Sequence, residues 1–464
     1  MTKTRTHQTR KKSQSGDLPN WNLNDLYRRP KSPKLKADIA WARSESKKFR
    51  KAFEGRLKGL DGNGLARAIS RYEKITERLD RVMSYGHLLH ATHISDAEIS
   101  AFFQTLQEKV TDISTEILFF TLELNRLGET VLKKQLKSPK AARYAPWIRD
   151  CRVFRRHQLS DEAEKLLHEK SLTSHNAWIR LFGETMADLR FRVEGGKKPK
   201  QMTLADTLNL LSDKKAQVRK RGAKALSRGL AKNIRVLSLI TNTLAKDKEI
   251  EDQWRRYPHP ASYRNLSNQV EDEFVDALIG AVKDSYPRLS HRYYRLKAKW
   301  FGVRKLNTWD RNAPLPEDSN RHYSWGEARQ IVLSAFGGFA PEMSEIAGRF
   351  FDHGWIDAAP RPGKDSGAFA HPTVPSVHPY VMLNYHGKGR DVMTLAHELG
   401  HGVHQVLAAP QGALMSDTPL TLAETASVFG EMLVFQAMLK TEKSAKRRRI
   451  LLAGKVEDMM NTVI

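Results

Sequence analysis

The sequence predicts a mainly α-helical protein with one small β-element, and three observations carry that reading. Apolar residues recur at three- and four-residue steps across residues 65–79 and 99–127, the period of an amphipathic helix. A second block of the same pattern runs over residues 204–299. Only residues 377–385 combine β-formers such as Val377, Tyr380, Val381 and Tyr385 into a strand-like run. No internal repeat or heptad array is present, which excludes a solenoid or a coiled coil.

Taken in order, residues 1–20 are polar and basic with no apolar stretch, and read as a disordered tail rather than a secretory signal. Residues 21–195 form an N-terminal helical domain. The run Val193, Glu194, Gly195, Gly196, Lys197, Lys198, Pro199, Lys200 is the clearest break, so residues 196–464 are expected to form the second domain. Past residue 299 the prolines and glycines concentrate, and two further helices follow.

The first of these, over residues 391–408, carries His397-Glu398-Leu399-Gly400-His401. Residues four apart on a helix differ by about 40° in azimuth and roughly 6 Å in rise, so both imidazoles can reach one zinc ion. Glu398 lies beside them, placed to act as the base on an attacking water. A buried helix whose two histidines only hydrogen-bond is the plainer alternative. Pro410 and Gly412 then break the chain and let it turn back. Thr418 as N-cap and Pro419 at the first helical position start the second helix.

Glu424 stands in an apolar stretch of that helix, where an unpaired carboxylate is costly to bury, and a metal would account for it. Glu431, seven residues on, shares its face and could orient a ligating imidazole. His404 shares the His397/His401 face but sits about 4.5 Å further along the axis, so it reads as cleft-lining. If Glu424 points away, Asp417 or Glu431 becomes the third ligand. Upstream, Gly363 and Gly367 would let the backbone approach a substrate. Tyr380 lies on the 377–385 strand, whose exposed edge could hydrogen-bond an extended peptide.

The segment from His397 to His404, followed by Ala423-Glu424-Thr425-Ala426-Ser427, resembles the M3 family of zinc oligopeptidases, in its oligoendopeptidase F branch. Trp21 to Tyr27, Glu169 to Leu172, Ala177-Trp178, Tyr263 to Leu266 and Gly363 to Phe369 resemble other stretches of that branch. The resemblance implies a zincin-like helical fold with a deep cleft and a small β-sheet beside the HExxH helix. It implies one Zn2+ per chain held by His397, His401 and Glu424, with Glu398 as general base, and short peptides as substrates.

Family members continue past Ile464, through helices that close the cleft and carry groups stabilising the tetrahedral intermediate. The expectation is therefore a C-terminally truncated domain that binds zinc yet cleaves peptides at least about 100-fold more slowly than a longer counterpart. Apolar helix faces near Leu433, Phe435 and Met438 should then be exposed, favouring aggregation.

A zinc-dependent endopeptidase is the function this adds up to. A dipeptidyl carboxypeptidase-like enzyme is the alternative within the same chemistry. Of another class is a basic nucleic-acid-binding protein with a vestigial metal site, since the 464 residues carry a net charge of +26. The basic residues are dispersed over separate segments with no nucleic-acid-binding motif, which favours solvated helix faces. No run reaches the ~18 apolar residues of a membrane span, so no membrane is expected. Cys151 is the only cysteine, and a reducing cytoplasm fits that. Oligomeric state is not legible.

Overall fold

A computed structural model describes residues 18–195, 198–316 and 321–463. Most of the expected tail, Gly196 and Lys197 at the expected boundary, and Ile464 lie outside the described residues. Helices dominate, as the periodicity predicts. Pro33–Phe53, Gly62–Ala91 and Ala97–Thr115 pack side by side as an N-terminal layer. Their starts follow local chemistry: Pro33 opens the first, and the Asp61 carboxylate accepts the Gly64 N–H at 2.6 Å to open the second. Phe49, Ile69, Ile75, Phe120 and Leu124 fill the core of this layer.

At the expected boundary the chain forms a hairpin-like pair, β1 (Phe191–Val193) and β2 (Lys200–Met202), antiparallel with Phe191 opposite Met202. Sequence pattern shows only a break there, because three-residue strands are too short to display alternation.

Residues beyond Trp325 build the core around the motif. Trp325–Phe339, Pro341–Asp352, Gly389–Ala408 (the motif helix) and Leu420–Thr441 (the partner helix) surround Val332, Phe336, Phe350, Leu395, Leu399 and Val434. The motif helix begins at Gly389, two residues before the expected start. The Asp391 carboxylate accepts the N–H groups of His386 and Lys388 at 2.8 and 2.9 Å and so closes that end.

Three strands lie beside it: β3 (Ile356–Asp357), β4 (Phe369–His371) and β5 (Tyr380–Met382), in the order β3-β5-β4. β5 is parallel to β3 and antiparallel to β4. This corrects the exposed edge expected at residues 377–385. Pro379 has no N–H for a ladder, so the strand starts only at Tyr380, and both its sides are already paired. Tyr380 is wholly buried and its hydroxyl donates to the Asn22 carbonyl at 2.9 Å, which removes it as a substrate contact. The two outer strands, β3 and β4, are the edges of this sheet.

Two further expectations are corrected. The partner helix starts at Leu420 with Pro419, not Thr418, as N-cap; the Pro419 carbonyl takes the Leu422 and Ala423 N–H groups, while Thr418 N–H is taken by Asp417. Phe435 and Met438 are buried, and Leu433 is partly buried against the same core, because the partner helix packs that face inward. Exposure falls on Leu420, Leu422, Val428 and Phe429 instead. Although no apolar run stands out in the sequence, Leu420–Thr441 is long and apolar enough to cross a membrane by length and composition, the one such helix among the described residues. Here it packs against the motif helix.

Candidate metal centre

Close helix packing positions the site. A Cβ on Gly400 would stand 2.6 Å from the Ala426 carbonyl oxygen, and one on Gly430 would stand 3.0 Å from that of Ala396. Only glycines let the two backbones approach so closely. The partner helix then presents Glu424 and Glu431 to the imidazoles of the motif helix.

His397 Nε2 lies 3.3 Å from Glu424 Oε2, and His401 Nε2 lies 3.5 Å from the same oxygen. One donor atom from each residue falls within 4.8 Å of the others, the one such cluster of three among the described residues. Tetrahedral zinc with bonds of about 2.0–2.2 Å requires ligand edges of about 3.4 Å, so this donor set fits the ion in size and chemistry. The Glu424 side chain is 46 % exposed. Its environment is therefore wetter than the apolar stretch around it suggests, and its direction, not its burial, marks it out.

Ser427, fully buried, donates its hydroxyl to Glu424 Oε2 at 2.8 Å and to the Glu424 carbonyl at 3.0 Å. Sequence reading passes over this serine; the signal is its position three residues after the glutamate, the same helix face. Glu431 Oε2 sits 3.5 Å from His397 Nδ1, longer than a firm hydrogen bond. Its other oxygen pairs with Lys455 from the helix Ala445–Val463, a second contact no motif announces.

Burial opposes charge on both imidazoles, yet they part company. Glu431, Glu398 and Glu424 outweigh burial at His397 and raise its pKa. At His401 burial prevails, with His397 and His404 adding to it, and the pKa falls. Glu431, despite burial, is held down to about 2 by His397 and Lys455. Glu398 is 6 % exposed, and burial, with Glu424 adding, pushes its carboxyl up to about 7, His397 opposing.

His404 is half-buried beside His401. Gly363 and Gly367 serve the chain itself. Gly363 has φ +79° and its carbonyl accepts the Ile94 N–H at 2.7 Å. Gly367 donates its N–H to Asp365 at 2.9 Å, and its carbonyl accepts from Asn384 at 3.1 Å. Buried Lys364 between them donates to the carbonyls of Asp357, Ala359 and Leu383 and pairs with Asp357 at 2.7 Å. This loop is thus a scaffold that delivers β4 to the motif helix, where Gln405 Nε2 donates to the Ala370 carbonyl at 3.2 Å.

Residues 123–191 match the family model described as Oligopeptidase F. The chain is 25 % identical over 467 aligned positions to oligopeptidase PepF of Bacillus subtilis, covering 96 % of this chain and 66 % of that protein. It is 25 % identical to an oligoendopeptidase F homolog of Lactococcus lactis, with 96 % and 73 % covered. The chain therefore spans about two-thirds to three-quarters of the length of these relatives. Among solved structures, oligoendopeptidase F from Enterococcus faecium shares the fold with TM-score 0.65 at 20 % identity, covering 93 % of this chain and 72 % of that one. Pz peptidase A, solved with an inhibitor, gives TM-score 0.72 at 15 % identity, with 93 % and 73 % covered. Residues 209–463, more than half of the chain, match the model described as Peptidase family M3, and the chain belongs to that family.

Proposed function

We propose that this chain is a zinc-dependent endopeptidase of short oligopeptides, with His397, His401 and Glu424 as metal ligands and Glu398 as general base. The observation that carries the reading is the meeting of two imidazole Nε2 atoms on one carboxylate oxygen, beside a buried glutamate. Bound there, zinc supplies Lewis-acid polarisation of the scissile carbonyl and of the attacking water.

Every other role belongs to the protein. Glu398 takes a proton from the water at its carboxylate and returns it to the leaving amine. Glu431, tied to Lys455, faces His397 Nδ1 and favours Nε2 as the ligating atom. Ser427 steadies the Glu424 carboxylate. The unpaired edge of β4, anchored to the motif helix through Gln405, offers backbone groups to an extended peptide. A single cysteine, Cys151, fits the reducing cytoplasm as its compartment.

The test joins metal content to product analysis. Wild-type protein should hold one zinc, and His397→Ala should lose it. Glu398→Gln should keep zinc and lose nearly all turnover. Mass spectrometry of digested peptides should show internal cuts, whereas dipeptides shed only from the C-terminus would assign the dipeptidyl carboxypeptidase reaction instead. A protein that binds no zinc overturns the reading.

A further inference from the structure

The helix Ala445–Val463 reaches the metal centre through Lys455, yet the fold holds it lightly. Of its described side chains only Ala453 is buried, while Leu452, Val456, Met459 and Val463 are exposed. A helix with so little buried apolar surface belongs to the least stable part of a fold. Polar ties fix it instead. On one side Glu457 accepts from the fully buried Lys297 at 2.7 and 2.8 Å, and from the Tyr293 hydroxyl at 2.8 Å. Towards its end Asn461 accepts from Arg311 at 3.0 Å. On another side Lys455 pairs with Glu431 of the partner helix and lies 3.5 Å from Asp458.

The Lys455–Glu431 pair differs from the other ties in what it touches. The two Glu431 oxygens divide their work: Oε1 meets the Lys455 ammonium, and Oε2 faces His397 Nδ1 at 3.5 Å. Both side chains are enclosed, each 10 % exposed. A carboxylate anchored at one oxygen keeps the other aimed at the imidazole. An acceptor at Nδ1 in turn fixes the tautomer that leaves Nε2 free for a metal. Three carboxylates, Glu398, Glu424 and Glu431, bear on His397, and Lys455 brings a cation into this acidic surround. Remove that ammonium and Glu431 becomes a buried carboxylate without its cation, free to turn away or to take up a proton.

We propose that Lys455 is a positioning residue for the metal centre, acting through Glu431 on His397, so that docking of the helix Ala445–Val463 and zinc binding are coupled. This rests on the reading of His397, His401 and Glu424 as zinc ligands. Such coupling is reciprocal: the docked helix raises zinc affinity, and zinc holds the helix docked.

The experiment measures zinc affinity by competition with a chelator, in wild type, Lys455→Met, Glu431→Ala and the double variant. Methionine keeps much of the apolar stem of lysine and loses the charge. Lys455→Met should bind zinc about 10- to 100-fold more weakly. In the Glu431→Ala background the same substitution should change nothing further, because the link to His397 is already cut. An unchanged affinity in Lys455→Met overturns the proposal, as does an equal loss in both backgrounds, which would mark a purely structural role. Hydrogen exchange on the wild type needs no variant, and decides the matter even if Lys455→Met fails to fold. Zinc should slow amide exchange across residues 445–463 by more than across Pro33–Phe53, which packs in a separate core. No greater slowing in residues 445–463 overturns the coupling. A wild type that binds no zinc overturns the ligand assignment as well, whereas zinc binding indifferent to Lys455 overturns this proposal alone.

Discussion

A Cβ built on Gly430 would lie 3.3 Å from the Gly400 Cα, so these two glycines set how near the partner helix comes to the motif helix. The distances from Glu424 Oε2 to the two imidazoles, 3.3 and 3.5 Å, depend on that approach. Gly400→Ala puts a methyl 2.6 Å from the Ala426 carbonyl oxygen, and backbone cannot give way as a side chain does. The expected cost is about 1–3 kcal/mol of stability, typical of overpacking. Zinc affinity should fall with it. Denaturant unfolding and a competitive chelator titration measure the two, and an unchanged zinc affinity would show that the helix spacing does not govern the site.

Ser427→Ala removes the hydroxyl that holds Glu424 Oε2 at 2.8 Å while leaving the helix intact. Loss of such an outer partner commonly weakens metal binding about 10- to 100-fold. Global stability should move far less. The two readouts together distinguish a tether of the carboxylate from a general packing role.

Glu398 is buried with its carboxyl raised from 4.5 to about 7 in the metal-free protein. A raised folded-state value means stability that is fully present below the unfolded pKa near 4.5 and lost as pH climbs through 7. Glu398→Gln removes that loss. Zinc-free Glu398→Gln should therefore exceed wild type at pH 8 by up to roughly 3 kcal/mol, and match it near pH 4. Thermal unfolding at the two pH values is the check. A variant less stable than wild type at pH 8 would deny the strain assigned to this carboxylate.

Asp80 follows the same sign with a smaller amplitude. Its pKa rises from 3.8 to about 6, so its unfavourable charge develops over that window as pH increases. Asp80 is crowded by the surrounding protein, which raises its pKa, yet the residue keeps an exposed surface, and solvent screening holds the effect to no more than about 1 kcal/mol. Asp80→Asn should raise the melting temperature at pH 7 and leave it unchanged near pH 3.5. A gain equal at both values would point to a cause other than charge.

Local spacing made much of the site legible. His397, Glu398 and His401 need only a helix to share a face, and helical periodicity is written in the flanking leucines and valines. The mainly helical class follows from the same period. Residues 377–385 also announced a strand, because β-formers cluster there. What they could not announce is that Tyr380–Met382 lies between two other strands, since pairing joins segments distant in sequence.

The remainder was decided by contacts between elements. Glu424 reads in sequence as an awkward carboxylate in an apolar run, yet it is half exposed, and the Gly400–Gly430 approach is what aims it. Phe435 and Met438 read as faces left open but are covered in the fold. Lys455 reaches Glu431 across 24 residues of sequence. The carboxylates of Asp80 and Asp417 meet although they are more than 300 residues apart, the first on a helix of the N-terminal layer and the second in the turn before the partner helix. Helix geometry is a property of a few neighbouring residues, so the sequence alone determined the motif and the helical class. The third carboxylate's direction and the pairing of β5 between β3 and β4 arise from packing of remote segments, and only the tertiary structure decided them.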